Sequence, residues 1–266
     1  MTLETAVASV AMFEAELTAA HEIADRAGEI ALSFFRHDPE VTWKPDATPV
    51  TEADIAVEEM IREELTRRFP ADAIRGEEGG IEGDPDHRMW IVDPIDGTRN
   101  YAAGIQIWAN LLALKVDGEY VLGLANAPAL GERYAATKGG GATWNGREIR
   151  VSDVATTAEG MVVLGDLEAW AGTPRGDGLM RLIRDAKRNR GFGDFWGHML
   201  VARGAAEVMI EPELSEWDFA PLAVIVTEAG GRVTQVDGSA PVHGGSLVSS
   251  NGLVHDEVLA ALTAPG

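Results

Sequence analysis

Between Trp90 and Asn100 the chain reads Trp-Ile-Val-Asp93-Pro94-Ile95-Asp96-Gly97-Thr98-Arg99-Asn100, and this segment constrains the fold more than any other. Met89-Trp90-Ile91-Val92 is a short apolar run of the kind that becomes a buried strand, and it enters a turn at Asp93-Pro94. Pro94 fixes its own φ and pushes Asp93 into an extended conformation, while Gly97 permits backbone angles that other residues resist. Such a turn can aim the Asp93 and Asp96 carboxylates and the Ile95 carbonyl at one point, an oxygen set suited to Mg²⁺. A bare Asp-x-x-Asp also forms a plain polar turn closed by its own hydrogen bonds, so the neighbours decide.

Two further acidic clusters share this character. Gly76-Glu77-Glu78-Gly79-Gly80 places adjacent glutamates between glycines, and Glu211-Pro212-Glu213 is followed by Trp217-Asp218 at the mouth of a predicted helix. Taken singly, the first reads as a solvated loop and Asp218 as a helix N-cap. The balance of charge is also acidic: 22 basic against 43 acidic residues give −21. That charge repels a phosphate backbone and argues against a nucleic-acid partner. The absence of cysteine excludes disulfide frameworks, thiol nucleophiles and Cys-ligated zinc or iron–sulfur clusters. The first twenty residues carry acids where a signal peptide would be basic, and no apolar run approaches the ~20 residues of a membrane span. A cytoplasmic protein with no membrane partner is expected.

The periodicity predicts an alternation of helices and strands. Phe13, Leu17, Ala20, Ala24, Ala27, Ala31 and Phe34 form one helical stripe that stops before Asp38-Pro39. A Pro- and Asp-rich loop over 44–50 precedes a second helix from Thr51, with Asp54 three residues on as a capping-box variant and Val57, Ile61 and Leu65 buried. Strands over 111–116 and 119–125 flank Asp117-Gly118, a hairpin signal. Strands over 133–137 and 148–151 bracket a glycine-rich stretch and a turn at Asn145-Gly146. Beyond residue 152, helices are expected over 178–188, 198–206, 217–229 and 256–262, and strands over 208–210, 232–236 and 246–250. A boundary near residue 152 divides an N-terminal α+β half, 1–152, from a C-terminal α/β half, 153–266.

Taken in order, Gly76-Glu77-Glu78, Asp93-Pro94-Ile95-Asp96-Gly97-Thr98, Trp217-Asp218-Phe-Ala-Pro-Leu and Glu228-Ala-Gly230-Gly231 resemble the inositol monophosphatase-like family of Mg²⁺-dependent sugar-phosphate phosphatases. Lys44 with Thr51-Glu-Ala-Asp54 is a further match, and the resemblance covers nearly the whole chain. It implies a layered αβαβα sandwich that pairs as a homodimer. It also implies that Glu77, Asp93 and the Ile95 carbonyl hold a first Mg²⁺. Asp93, Asp96 and Asp218 would hold a second, with Glu77 shared by a weaker third. Water would attack phosphorus in line, without a phosphoenzyme, oriented and deprotonated by Thr98 and Asp54. Backbone N–H groups at Gly97-Thr98 would cradle the phosphate if they open a helix. Ile95, Asp96, Gly97, Thr98 and Asp218 thus double as substrate contacts.

The substrate's other end is read from the C-terminal half. Gly191-Phe-Gly-Asp194-Phe-Trp196, with Glu211-Pro-Glu213 and His243-Gly-Gly-Ser246, resembles the histidinol-phosphate phosphatase branch. Asp194 beside aromatic residues suits a cation by charge and cation–π contact, and Glu211 is the second candidate for the substrate's amine and imidazole. Asp194 also reads as a surface-loop acid, and Trp108 as either a site wall or a core residue. Inositol phosphates, or nucleotide phosphates held by Arg188 and Arg190, are the alternative substrates. A catalytically silent binding protein on the same fold is the alternative of another kind. Lys138-Gly-Gly-Gly141 lacks a following Gly-Lys-Ser/Thr, the six histidines form no H-x-x-x-H pair, and no G-x-S-x-G occurs. P-loop, zinc and serine-nucleophile chemistries are therefore set aside.

Overall fold

The structure, a computed structural model, describes residues 13–35, 41–43 and 49–263. Lys44 and the Asp38-Pro39 stop lie outside the described residues. The apolar stripe of the first helix forms α1 (Glu14–Phe35), and the capping box at Thr51 opens α2 (Glu52–Arg68). Between them β1 (Val41–Trp43) and β2 (Pro49–Thr51) pair as a short antiparallel ribbon.

An eight-stranded sheet follows. Its strands are β3 (Ala73–Gly76), β4 (Gly80–Glu82), β5 (Arg88–Asp96), β6 (Ala109–Val116), β7 (Glu119–Ala127), β8 (Glu132–Thr137), β9 (Gly141–Trp144) and β10 (Arg147–Ile149). They lie in the order β10-β9-β8-β7-β6-β5-β3-β4, with β3 and β5 parallel and the other neighbours antiparallel. The short helix α3 (Thr98–Ala102) leaves the end of β5. A five-stranded sheet is built from β11 (Met161–Leu164), β12 (Arg188–Arg190), β13 (Val208–Leu214), β14 (Arg232–Thr234) and β15 (Gly245–Ser250), in the order β12-β11-β13-β15-β14. The helices among these strands are α4 (Pro174–Asp185), α5 (Asp194–Ala202), α6 (Glu216–Glu228) and α7 (His255–Thr263).

The layers run α1 and α2, large sheet, α5 and α6, small sheet, α4 and α7. This is the expected αβαβα sandwich. Strand β6 shows why its sequence reads as a continuous apolar run rather than an alternating one. Leu112 and Leu114 enter the core under α1 and α2, while Leu111 and Ala113 enter the apolar layer between the sheets. A strand covered on both faces has no polar side to show. Among the described residues, no helix is long and apolar enough to cross a membrane.

Several boundaries differ from expectation. The helix expected over 178–188 runs from Pro174 to Asp185, because Thr173 accepts from Gly176 N at 3.0 Å and Pro174 takes the first helical position. Arg188 and Arg190 fall instead on the exposed edge strand β12. Strands β9 and β11 are short and carry no alternation long enough to read. The turn expected at Asp93-Pro94 is strand: β5 continues to Asp96, and the chain turns only at Gly97. Lys138–Gly141 forms a turn between β8 and β9, as expected, with Gly139 N and Gly141 N donating to Glu228.

Helix α6 lies in the middle layer with its backbone against the large sheet. A Cβ added at Gly123 would stand 2.3 Å from the Pro221 carbonyl oxygen, so only glycine allows this approach. Gly123→Ala must push α6 off β7 and is expected to cost about 1–3 kcal/mol of stability, the range for overpacking a filled core. Urea denaturation measures this. An unchanged midpoint would mean that the contact is slack.

Candidate active site

Two local irregularities create the acidic centre. Residues three apart on a regular strand point to opposite faces, so Asp93 and Asp96 could not both face one ion. Strand β5 carries a bulge there: Asp93 pairs with Leu111 and Asp96 with Ala109, leaving three steps on β5 against two on β6. The extra residue returns Asp96 to the side of Asp93. Ile95 N donates to Asp93 Oδ1 at 2.9 Å, and Asn110 Nδ2 takes the Pro94 carbonyl at 2.7 Å. Gly97 then turns the chain at φ 81°, with Ile107 O only 3.0 Å from where a Cβ would lie.

The other carboxylates arrive from separate elements. Glu77 leaves the end of β3 beside β5, its N–H donating to Val92 O at 3.2 Å. Asp218 stands at the third position of α6, where one oxygen accepts Ser215 N at 2.7 Å. The N-cap is therefore Ser215, not Asp218. One carboxylate oxygen from each of Asp93, Asp96 and Asp218 lies within 4.8 Å of the others. Glu77 lines the same cleft, of about 440 Å³, together with Ile95, Gly97, Thr98, Asp194 and Glu211. Every candidate except Asp54 lines it.

Asp54 sits behind this group and is fully buried. Its Oδ2 accepts both the backbone N–H and the hydroxyl of Thr51, at 2.8 and 2.5 Å, and its Oδ1 has no partner. Asp54 and Asp218 are thus used alike, each at the third position of a helix with one oxygen spent on the cap. Thr98, the expected companion of Asp54, donates its hydroxyl to Ile95 O at 3.0 Å, which leaves its oxygen free to accept.

The charges are mutually unfavourable without a counterion. Burial, then repulsion from Glu77, Asp96, Asp218 and Asp54, holds Asp93 well above the carboxylate range. Burial and the neighbouring Asp194 and Asp218 do the same to Asp96. Burial pushes Asp218 up to about 7 and Asp54 to about 7. A buried all-oxygen donor set of this charge, with one oxygen orphaned beside it, fits a hard divalent cation.

A second acidic group lines the same cleft. Asp194 begins α5 in a left-handed conformation, φ 56°, which is uncommon for residues other than glycine. Asn100 Nδ2 donates to its Oδ2 at 2.6 Å, and Phe195 N donates to Asp96 Oδ2 at 2.8 Å. Asp194 is therefore not a surface-loop acid. Glu211 lies at a second bulge, on β13, and a Cβ at Gly165 would collide with its carboxylate at 1.8 Å. Burial and repulsion from Asp194 raise Glu211 to about 8, and burial raises Asp194 to about 6.

The expected aromatic contacts are absent: no aromatic side chain lines the cleft among the described residues. Phe195 is buried between the sheets, Trp196 donates to Glu132 at 3.1 Å, and Trp108 packs on Phe35 and Tyr101 in the core. His243 accepts Glu216 N at 3.2 Å and so supports α6 rather than the cleft. Asp166, Glu213, Arg99 and Asn100 line the cleft without having been expected there. For Asp166 a signal existed, an apolar run Met161–Leu164 ending in Gly165-Asp166, but the run is too short to distinguish strand from helix.

The model of the inositol monophosphatase family matches residues 13–265. The chain belongs to this family. Histidinol-phosphatase of Streptomyces coelicolor is 44% identical over 93% of this chain and 96% of its own length. That of Mycobacterium tuberculosis is 43% identical over 94% and 98%. Among solved structures, an IMPase of Thermotoga maritima aligns with a TM-score of 0.85 at 32% identity, over 93% of this chain and 96% of that one. The inositol monophosphatase of Anabaena (Nostoc) sp. PCC 7120 aligns with 0.85 at 28%, over 96% and 97%.

The raised carboxyls fix the sign of a pH effect. In the metal-free fold they retain protons that the unfolded chain has already released. Their stabilisation is therefore complete below the unfolded carboxyl range and lost as pH rises through about 7 to 8. The melting temperature of EDTA-treated protein should fall between about pH 6 and pH 8.5, and Mg²⁺ should raise it more at the upper end. An equal Mg²⁺ effect at both pH values would contradict this arrangement.

Proposed function

We propose that this protein hydrolyses L-histidinol phosphate to L-histidinol and inorganic phosphate in histidine biosynthesis, as a Mg²⁺-dependent phosphoric monoester hydrolase. The observation that carries the substrate assignment is a second pair of acids in the same cleft. Asp93, Asp96 and Asp218 gather within 4.8 Å, and the half-buried Asp194 and the buried Glu211 line the cleft beside them. An anion drawn to a metal cluster and a cation drawn to carboxylates describe the two ends of histidinol phosphate. A neutral polyol donates hydroxyl hydrogen bonds to Asp194 and Glu211 but brings no charge to compensate theirs. The identities of 44% and 43% to histidinol-phosphatases over nearly full length support the same substrate.

In this reading Glu77, Asp93 and the Ile95 carbonyl would hold a first Mg²⁺; Asp93, Asp96 and Asp218 would hold a second; and Glu77 would contribute to a third. Bound there, the ions would supply a positive field for a phosphate dianion and Lewis acidity for the attacking water and the leaving oxygen. The chain's own groups do the rest. N–H groups at Gly97 and Thr98 meet the phosphate oxygens at the mouth of α3. The free Oδ1 of Asp54 takes the proton of the attacking water, and burial has already brought its affinity for a proton near neutrality. The Thr98 hydroxyl orients that water. Displacement is in line on phosphorus, with no covalent enzyme intermediate. The division into 1–152 and 153–266, the homodimer and the cytoplasmic location belong to the same reading. The first is supported by a large sheet drawn from residues 73–149 and a small one from 161–250.

Phosphate release with Mg²⁺ should be far faster from histidinol phosphate than from inositol 1-phosphate or an adenosine bisphosphate. Comparable rates, or the reverse order, would sink the assignment. Asp194→Asn should raise KM for histidinol phosphate at least tenfold, about 1.4 kcal/mol of lost binding, and spare inositol 1-phosphate. Equal losses on both substrates would make Asp194 structural. Asp54→Asn should lower kcat by about 10²–10⁴, the range for losing a general base. Near-normal turnover would remove Asp54 from the mechanism.

A further inference from the structure

Glu58 is a buried acid that the chemistry above does not use. It lies one turn beyond Asp54 on α2 and is only 3% exposed. Its Oε2 accepts Glu78 N at 2.8 Å, and its Oε1 accepts Gly79 N at 2.8 Å and Arg62 Nε at 2.8 Å. Arg62 Nη2 in turn donates to Gly80 O at 2.6 Å. The loop that carries Glu77 is therefore wound around a side chain from another element. Glycine is needed on both sides of it. A Cβ at Gly76 would come within 2.2 Å of the Glu58 carboxylate, and a Cβ at Gly79 within 2.7 Å.

We propose that Glu58 is the positioning residue for Glu77: it fixes the Glu77–Glu78 loop by two charge-assisted hydrogen bonds and so presets the metal-binding carboxylate. The proposal rests on the reading of Glu77 as a Mg²⁺ ligand. The physical need is plain. Glu77 sits among carboxylates that repel it, and Asp54, Asp93 and Asp218 all interact with it electrostatically. A loop free to move would swing Glu77 toward water and leave the site until an ion pulled it back. The ordering cost would then be charged against each ion bound. Holding the loop beforehand removes that cost, and partners of this kind are worth about 10–100-fold in metal affinity. Because Asp54 and Glu58 share one face of α2, the same helix sets Glu77 and the orphan oxygen of Asp54 at a fixed separation.

The test uses the intact protein and Mg²⁺ alone, without substrate, by titration calorimetry, alongside steady-state kinetics. Glu58→Gln keeps the size but turns an N–H₂ toward one of the two loop donors. It should weaken Mg²⁺ binding about tenfold and raise the Mg²⁺ needed for half-maximal turnover to match. KM for histidinol phosphate at saturating Mg²⁺ should change less than twofold. Gly79→Ala, at an exposed position with ordinary backbone angles, disturbs the same contact and should reproduce this pattern if Glu58→Gln fails to fold. Glu77→Gln is the control. If it weakens Mg²⁺ binding while Glu58→Gln and Gly79→Ala do not, the positioning role is overturned. If Glu77→Gln itself leaves Mg²⁺ binding unchanged, the ligand assignment is what fails. Equal changes in Mg²⁺ affinity and substrate KM in the Glu58 variant would also overturn the proposal, as a general loosening of the site.

Discussion

Repulsion among buried carboxylates is the constraint on which this structure turns. Asp93 and Asp96 are nearly inaccessible to water, Asp54 is wholly so, and Asp218 and Glu77 close the group. In a medium of low polarity such a cluster is expensive unless cations enter it or protons neutralise it. The fold must therefore hold the carboxylates together against their own field. It does so by giving each one a rigid anchor: a bulged strand for Asp93 and Asp96, a capped helix start for Asp54 and for Asp218, and a clamped loop for Glu77.

The anchors are themselves tied across the molecule. Glu216, next to Trp217 and two residues before Asp218, accepts from Arg75 on β3, Lys115 on β6 and Tyr120 on β7. Burial alone would raise its carboxyl, but these donors hold it below its ordinary value. Arg75 also leads directly into Gly76 and Glu77 and lies over the Trp217 ring. The strand that leads to Glu77 is thereby fastened to the helix that carries Asp218. Glu216 is the shared anion of this group, so its loss would leave the partly exposed Arg75 and Lys115 without their common partner.

How much of this was legible in the residues depended on the range of the interaction. Local signals were readable: the Thr51–Asp54 box, the Asp117-Gly118 hairpin and the apolar stripe of α1 each appear where their spacing put them. That residues 77, 93, 96 and 218 would share one cleft was readable only through family resemblance, since no spacing rule connects residue 77 to residue 218. The bulge on β5 was not. A strand interrupted by Pro94 looks like a turn until its partner strand supplies the register. Asp194 does line the cleft, but the aromatic contacts expected beside it are missing, because Phe195 and Trp196 face the core and Glu132. Glu58 escaped notice altogether. On α2 it is one glutamate among several, and only the path of a loop twenty residues away gives it a task.

The bulge on β5 makes the position of the centre discrete rather than adjustable. Side chains on a pleated ribbon come in two orientations only, so the ligand geometry can change in whole-residue jumps and not by degrees. Straightening the bulge with Asp93 and Asp96 still three residues apart would not widen or narrow the centre; it would turn one acid to the opposite face. Other acids of the cleft, Asp166, Asp194 and Glu211, come from three separate segments, none of them β5. A molecule built this way can be retuned for a new alcohol while its hydrolytic half stays in register.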